Sequence, residues 1–317
     1  MTAKVGIIGL GLMGGSLGLA LKKYLPEIER LGRDVDDENE SYALSSGIIE
    51  QRLTTSKVHQ LDYIFLAVPV KSTVKALKSI SQNINKKHTV VTDMGSTKEY
   101  ICKTVEKEFP NIKFVGGHPL AGGEKSGPRF ARADLFKNKN YIITADIQKN
   151  QEDNNSAAGS KKESKAEETS LNEMFLSPEV NKLTSLLTSL GCSISYYTPK
   201  EHDHMVALTS HLPHLAAFSL LVQYIEQENS SPQGSLTDGV GTGFLDFTRI
   251  GASSPEMWLD IFFTNRENII KKIDDYIKIM ENCQSFISDN KQQKIREIMN
   301  LAGKKRSDIE KEIADEN

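Results

Sequence analysis

The sequence is short of the features that mark a secreted, membrane-spanning or nucleic-acid-binding chain. Its three cysteines, Cys102, Cys192 and Cys283, are odd in number and far apart. They match neither a disulfide framework nor a metal-ligand spacing, and they fit reduced thiols of a cytoplasmic protein. No stretch holds the roughly 18 consecutive apolar residues of a membrane span, so no membrane partner is expected. The opening MTAKVGIIGLGLMGG lacks the basic start, longer apolar run and small-residue cleavage site of a secretory signal. With 39 basic against 42 acidic residues the formal net charge is −3. Lys and Arg are scattered, without the basic stripe that a nucleic-acid partner would favour. What is present is an ordinary globular mix, 38% hydrophobic and 26% charged over 317 residues, which suggests about two domains.

The first part of the chain alternates short apolar runs with helical spacing. Lys4–Ile8, Glu29–Arg33, Tyr63–Ala67, Thr89–Thr92, Lys113–Val115 and Tyr141–Thr144 read as strands, and Val68-Pro69 ends the third. Such alternation implies a doubly wound α/β domain with ligands bound beyond the strand C-termini. Residues 146–176 are polar and rich in Asn, Ser, Lys and Glu, and are expected to be a disordered insertion. The α/β pattern resumes after them. Ser177-Pro178 opens a helix closed by Gly191, and SISYYT reads as a further strand. The domain boundary is therefore placed near Pro199, giving 1–199 and 200–317. Beyond it strand signals vanish. Glu201–Asn229 is expected to be helical around Pro213, Pro255–Asp289 to form one long helix, and Gln293–Leu301 another. So much apolar helical face needs a partner, and a second copy of the chain is the natural one.

Gly9-Leu10-Gly11-Leu12-Met13-Gly14 is G-x-G-x-x-G directly after a strand and directly before a helix. Glycines there make the tight turn, admit a pyrophosphate to the backbone and let helix and strand pack closely. Asp34 follows about 20 residues later, where a carboxylate holds the ribose hydroxyls of NAD. Its charge would repel the extra phosphate of NADP, whereas Arg33 could pair with that phosphate if Asp34 turned away. Val68 and Ser96, at strand C-termini, join the expected cofactor contacts.

Hydride transfer from an alcohol carbon needs a base for the hydroxyl proton, and histidine suits that task near neutral pH. His118, in Gly116-Gly117-His118-Pro119-Leu120-Ala121-Gly122-Gly123, is expected on a loop at the C-terminal edge of the sheet. Ser96, in Asp93-Met94-Gly95-Ser96-Thr97-Lys98, follows the preceding strand and could hydrogen-bond the His118 ring. On local grounds alone His118 could equally cap backbone groups, and Ser96 could be a plain helix N-cap.

GLGLMGGSL, VVTDMGSTK, GGHPLAGGEKSG, SHLPH and FLDFTRIGASSPEMW, in this order, resemble the prephenate/arogenate dehydrogenase family over nearly all the chain outside the insertion. The resemblance implies a Rossmann-like α/β domain followed by an all-helical dimerisation domain, hence a homodimer. It also implies oxidative decarboxylation of prephenate to 4-hydroxyphenylpyruvate, with hydride transfer to NAD, on the route to tyrosine. Arogenate, with NADP or NAD, is the alternative. On this resemblance His118 accepts the hydroxyl proton, Ser96 orients it, and His214 is the substrate-side histidine. Arg249 pairs with a substrate carboxylate, Glu124 gates the pocket and Trp258 lines it. Where the family often has lysine, this chain has Leu245, which leaves Arg249 more of the charge and Asp246 a positioning role. His211 and His214, three apart, leave a core histidine or a metal pair open, with Glu201, His202, Asp203 and His204 upstream. Hydride transfer needs no metal, and none is expected. Another Rossmann-plus-helical dehydrogenase and a non-catalytic NAD sensor are the rival readings. His118, Ser96 and Arg249 together weigh against a sensor, which needs only the glycine loop.

Overall fold

The computed structural model describes residues 3–123, 125–144, 177–230 and 235–315. Glu124 and the polar insertion expected over 146–176 lie outside them. The chain divides into two compact units, Met1–His202 and Asp203–Asn317.

In the first unit β1 (Lys4–Ile8), β2 (Glu29–Arg33), β3 (Gln51–Arg52), β4 (Tyr63–Leu66), β5 (Val90–Asp93) and β6 (Phe114–Val115) form a six-stranded sheet ordered β3-β2-β1-β4-β5-β6. All its pairings are parallel. Both faces are covered, which is why β1, β4 and β5 read as apolar runs without alternation. On one side α1 (Leu12–Tyr24), α2 (Asp37–Ser45) and α5 (Pro178–Ser189) contribute Leu17, Leu21, Ala43, Leu183 and Leu187 to a buried cluster. On the other, α3 (Val70–Ile80) and α4 (Glu99–Glu108) contribute Leu77, Ile80, Ile101 and Val105.

A second, three-stranded sheet is built from β7 (Gly117–Pro119), β8 (Asn140–Thr144) and β9 (Ser193–Tyr197). β7 runs antiparallel to β8, and β9 runs parallel to it. His118 is therefore on a short strand, opposite Ile142, and not on a loop as expected. Two glycines beside it leave no side-chain alternation to read, and the strand forms only by pairing with residues far along the chain. The glycines are needed where the chain leaves one sheet for the other. A Cβ on Gly116 would lie 2.4 Å from Thr144 Oγ1, and one on Gly117 would lie 2.7 Å from the Asp93 carbonyl.

That crossing is held by a buried ion pair. Lys98 and Asp93 are both fully buried and in direct contact through Nζ and Oδ2. Asp93 Oδ2 also accepts from the Gly95 amide at 2.8 Å, and Oδ1 from the Gly117 amide at 3.1 Å. Tyr141 donates its hydroxyl to the Asp93 carbonyl at 3.4 Å. Burial first, and the Asp93 charge second, push that phenol well above its ordinary value, so it stays a neutral donor.

The second unit is helical. The helical run starts at α6 (Pro199–Val206), passes through one π-turn (Ala207–His211) and continues as α7 (Leu212–Ser230). Pro213 explains the widening. Its ring would clash with the carbonyl four residues back in a plain α-helix, and an extra residue in the turn relieves this. By length and average apolarity the run Pro199–Ser230 would satisfy a membrane span. The expectation of no such segment counted strictly consecutive apolar residues, which Ser210, His211, Pro213 and His214 interrupt.

After α8 (Thr242–Thr248), the expected helix over Pro255–Asp289 proves to be two, α9 (Pro255–Thr264) and α10 (Arg266–Ser288). Ser254 caps the first and Pro255 opens it. The break falls at buried Asn265, whose Nδ2 donates to the Asp203 carbonyl at 2.7 Å and to His211 Nδ1 at 3.2 Å. The apolar spacing keeps its phase across this point, so periodicity alone could not reveal it. α11 (Gln292–Asp315) runs past the expected end at Leu301. Its second half has little apolar face and is supported by pairs such as Arg306–Glu310 at 2.8 Å, one turn apart.

Lys98→Met should lower the unfolding free energy by about 3–5 kcal/mol, because it strands a buried carboxylate. Denaturant titration of the variant and the parent checks this, and a loss within about 0.5 kcal/mol, the range of ordinary surface substitutions, would refute it.

Candidate active site

Each of the three motif glycines meets a different demand. Gly9 has φ +93°, and a Cβ there would sit 2.3 Å from the Ala67 carbonyl and 2.8 Å from Val68 Cγ1. A Cβ on Gly14 would be 1.9 Å from the Gly9 carbonyl. Gly11, by contrast, faces open space, with nothing within 4 Å of a would-be Cβ. Gly11 is also the N-cap of α1 and supplies no side-chain cap, so the amides of Met13 and Gly14, which such a cap would meet, lack that partner. An uncapped helix start with open room above its second glycine fits a bound pyrophosphate. Gly123, in the loop after β7, comes within 3.2 Å of Leu12 Cδ2 when given a Cβ. The loop after His118 thus reaches the glycine loop.

Asp34 follows β2 directly. Its Oδ2 accepts from the Leu10 amide at 2.5 Å and its Oδ1 from the Asp36 amide at 2.9 Å. The carboxylate is thereby tied to the backbone of the glycine loop. Arg33 Nη2 donates to Ser79 Oγ on α3 at 3.5 Å, on the surface. Ser96 is half-buried in the turn between β5 and α4.

His118 is half-buried on β7. Its Nδ1 lies 2.8 Å from Nε2 of His202, which is fully buried. The ring centroids are 5.0 Å apart, edge to face. The partner on Nδ1 is thus His202, a residue the sequence had not joined to His118. A capping box positions it: Thr198 donates its amide to Glu201 Oε2 at 2.9 Å, and Glu201 donates its own amide to Thr198 Oγ1 at 3.2 Å. The capping-box spacing Thr198-x-x-Glu201 is a signal that could have marked this helix start, but nothing local joins His202 to a residue 84 positions away. Among the described residues no cluster of three metal-ligating side chains occurs.

In the helical unit the two histidines of the H-L-P-H motif have different surroundings. His211 is buried and accepts from Asn265 through Nδ1, which makes it the core histidine of the pair. His214 is half-buried and stacks on Trp258, with centroids 3.9 Å apart and planes at 29°. Its Nδ1 donates to the Ser210 carbonyl at 2.8 Å, so in the neutral ring Nε2 carries the lone pair. Burial lowers the His214 pKa, the Ser210 carbonyl opposes that, and the Arg249 charge lowers it further. Trp258 is 4% exposed, and its Nε1 has no hydrogen-bond partner among the described residues. Arg249 is exposed just after α8, and Leu245 and Asp246 are exposed on that helix.

In an NMR titration His214 should take up its proton below the ordinary imidazole value. Arg249→Ala, which removes a repelling charge, should move the midpoint upward. A midpoint unmoved or lowered by the substitution would contradict the assigned proximity.

Residues 17–168 match the family model described as prephenate dehydrogenase, nucleotide-binding domain, and residues 198–301 match prephenate dehydrogenase, dimerization domain. The prephenate dehydrogenase of Bacillus subtilis is 32% identical over 284 residues, covering 89% of this chain and 69% of the relative. That of Lactococcus lactis is 31% identical, covering 97% of this chain and 77% of the relative. The crystal structure of Aquifex aeolicus prephenate dehydrogenase with hydroxyphenyl propionate and NAD+ superposes with a TM-score of 0.81 at 30% identity, over 98% of this chain and 99% of that one. With both parts matched, and relatives above 30% identity aligned over more than two thirds of their length, the chain belongs to the prephenate dehydrogenase family.

Proposed function

We propose that the protein is an NAD-dependent prephenate dehydrogenase, converting prephenate to 4-hydroxyphenylpyruvate and carbon dioxide in tyrosine biosynthesis. The observation that carries this reading is the joining, within one unit, of the open uncapped glycine loop and a histidine strand whose following loop reaches it. Gly9, Leu10, Gly11, Leu12, Met13 and Gly14 would hold the pyrophosphate, with Val68 and Ser96 beside them. Asp34 would meet the ribose hydroxyls and repel the 2′-phosphate of NADP. NAD+ supplies the hydride acceptor.

His118 Nε2 takes the proton of the ring hydroxyl as the hydride departs from the same carbon. The bond from the ring to its carboxylate then breaks. Its electron pair enters the ring as carbon dioxide leaves, and the phenolate oxygen regains a proton. Aromatisation makes the sequence irreversible. In the helical unit Arg249 is suited to bidentate pairing with a substrate carboxylate, and neutral His214 offers Nε2 as an acceptor. Trp258 fixes the His214 ring, while Asp246 and Glu124 complete the proposed substrate set. The scattered cysteines favour a cytoplasmic location.

Purified protein with prephenate should reduce NAD+ faster than NADP+. His118→Asn should cut turnover by ~10²–10⁴ with NAD+ affinity nearly intact. If neither prephenate nor arogenate supports reduction while NAD+ still binds, the chain is a nucleotide-binding protein without this activity.

The helical unit is proposed to form a homodimer. Its support is the matched dimerization-domain model and the exposed stripe Ile270, Ile277, Met280 and Ile287 on α10. Sedimentation at micromolar concentration should give twice the chain mass; a monomer there would refute it.

A further inference from the structure

Proton transfer from a substrate hydroxyl to His118 does not by itself require a second imidazole, yet one is buried against it. His202 Nε2 stands 2.8 Å from His118 Nδ1 with no exposure to solvent. Both rings depend on the three-stranded sheet. His118 lies on β7 opposite Ile142 of β8, and His202 follows β9, which pairs with the other edge of β8. The Thr198–Glu201 capping box and the His202 amide bond to the Thr198 carbonyl at 3.0 Å then fix the first turn of α6.

One hydrogen can lie between the two nitrogens in either of two ways. If His202 Nε2 carries it, His118 Nδ1 is the acceptor, and a neutral His118 must then carry its own hydrogen on Nε2. Such a ring can donate at Nε2 but cannot take a proton there. When His118 became an imidazolium, two N–H groups would also face each other across the contact. If His118 Nδ1 carries the hydrogen, neutral His118 has its lone pair on Nε2. The same Nδ1–H···Nε2 bond then survives protonation unchanged.

We propose that His202 is the positioning residue of the reaction, accepting from His118 Nδ1–H and thereby holding His118 in the tautomer whose Nε2 can act as base. This rests on the reading of His118 as the base. A neutral acceptor orients the ring without adding charge beside it, unlike a carboxylate in the same place.

The test has a spectroscopic and a kinetic arm, both on the full chain. Selective ¹⁵N labelling of the seven histidines, with His118 and His202 assigned from their single substitutions, reports which nitrogen of each ring is protonated. Expected are a protonated His118 Nδ1 and an unprotonated His202 Nε2 above the titration of His118. The reverse pattern overturns the proposal whether or not the protein oxidises prephenate, so the two readings fail separately. Kinetically, His202→Leu should lower kcat about 10- to 100-fold with KM and NAD+ affinity little changed. His202→Gln, whose amide oxygen can stand near the lost Nε2, should recover most of that loss. Equal loss in both variants, or no loss in the leucine variant, counts against the proposal. Should the leucine variant fail to fold, the tautomer spectrum of the parent decides alone.

Discussion

The buried contact between Asp93 and Lys98 sits where the main sheet hands the chain over to the strand that carries His118. Two full charges with no solvent exposure are tolerable only when their remaining hydrogen-bonding capacity is used. Here the Asp93 carboxylate also serves the Gly95 and Gly117 amides. The end of β5, the turn carrying Ser96 and the start of the strand carrying His118 are thus tied to one side chain. The Asp93 carbonyl, accepting from the Tyr141 hydroxyl, extends the same anchor to the second sheet. Moving the carboxylate would disturb the turn carrying Ser96 and the start of the strand carrying His118.

A comparable economy operates at the nucleotide loop. Both oxygens of the Asp34 carboxylate accept from backbone amides, those of Leu10 and Asp36. Those bonds orient the carboxylate and join the end of β2 to the glycine loop. Gly9 and Gly14 are dictated by close approach of the chain to itself, and Gly11 alone by the space left above it.

How much of this was legible in the sequence depended on the range of the interaction responsible. The parallel strands, the glycine loop and its aspartate are local patterns, and the doubly wound sheet follows from them. The separate three-stranded sheet was not legible, because β7 has three residues, one of them glycine, and exists only through β8. In the sequence His202 stands only beside Glu201, Asp203 and His204 as a conceivable metal ligand, since its partner is a ring 84 positions away. The break at Asn265 hid in an unbroken apolar phase, and its cause is a side chain bonded to the Asp203 carbonyl and to His211. The H-L-P-H motif was recognisable, but dividing it into a core histidine and a stacked one required knowing what surrounds each.

The π-turn at Ala207–His211 has a consequence for the helix that follows it. One residue more or less in a helix rotates everything beyond it by about 100°. The extra residue here sets the angular phase of α7 relative to α6, and with it which residues of α7 meet Trp258. Loss of a single residue from this stretch would leave a sound helix on paper and turn His214 away from the indole plane. In this chain the length of 207–211 therefore decides whether His214 meets the Trp258 ring.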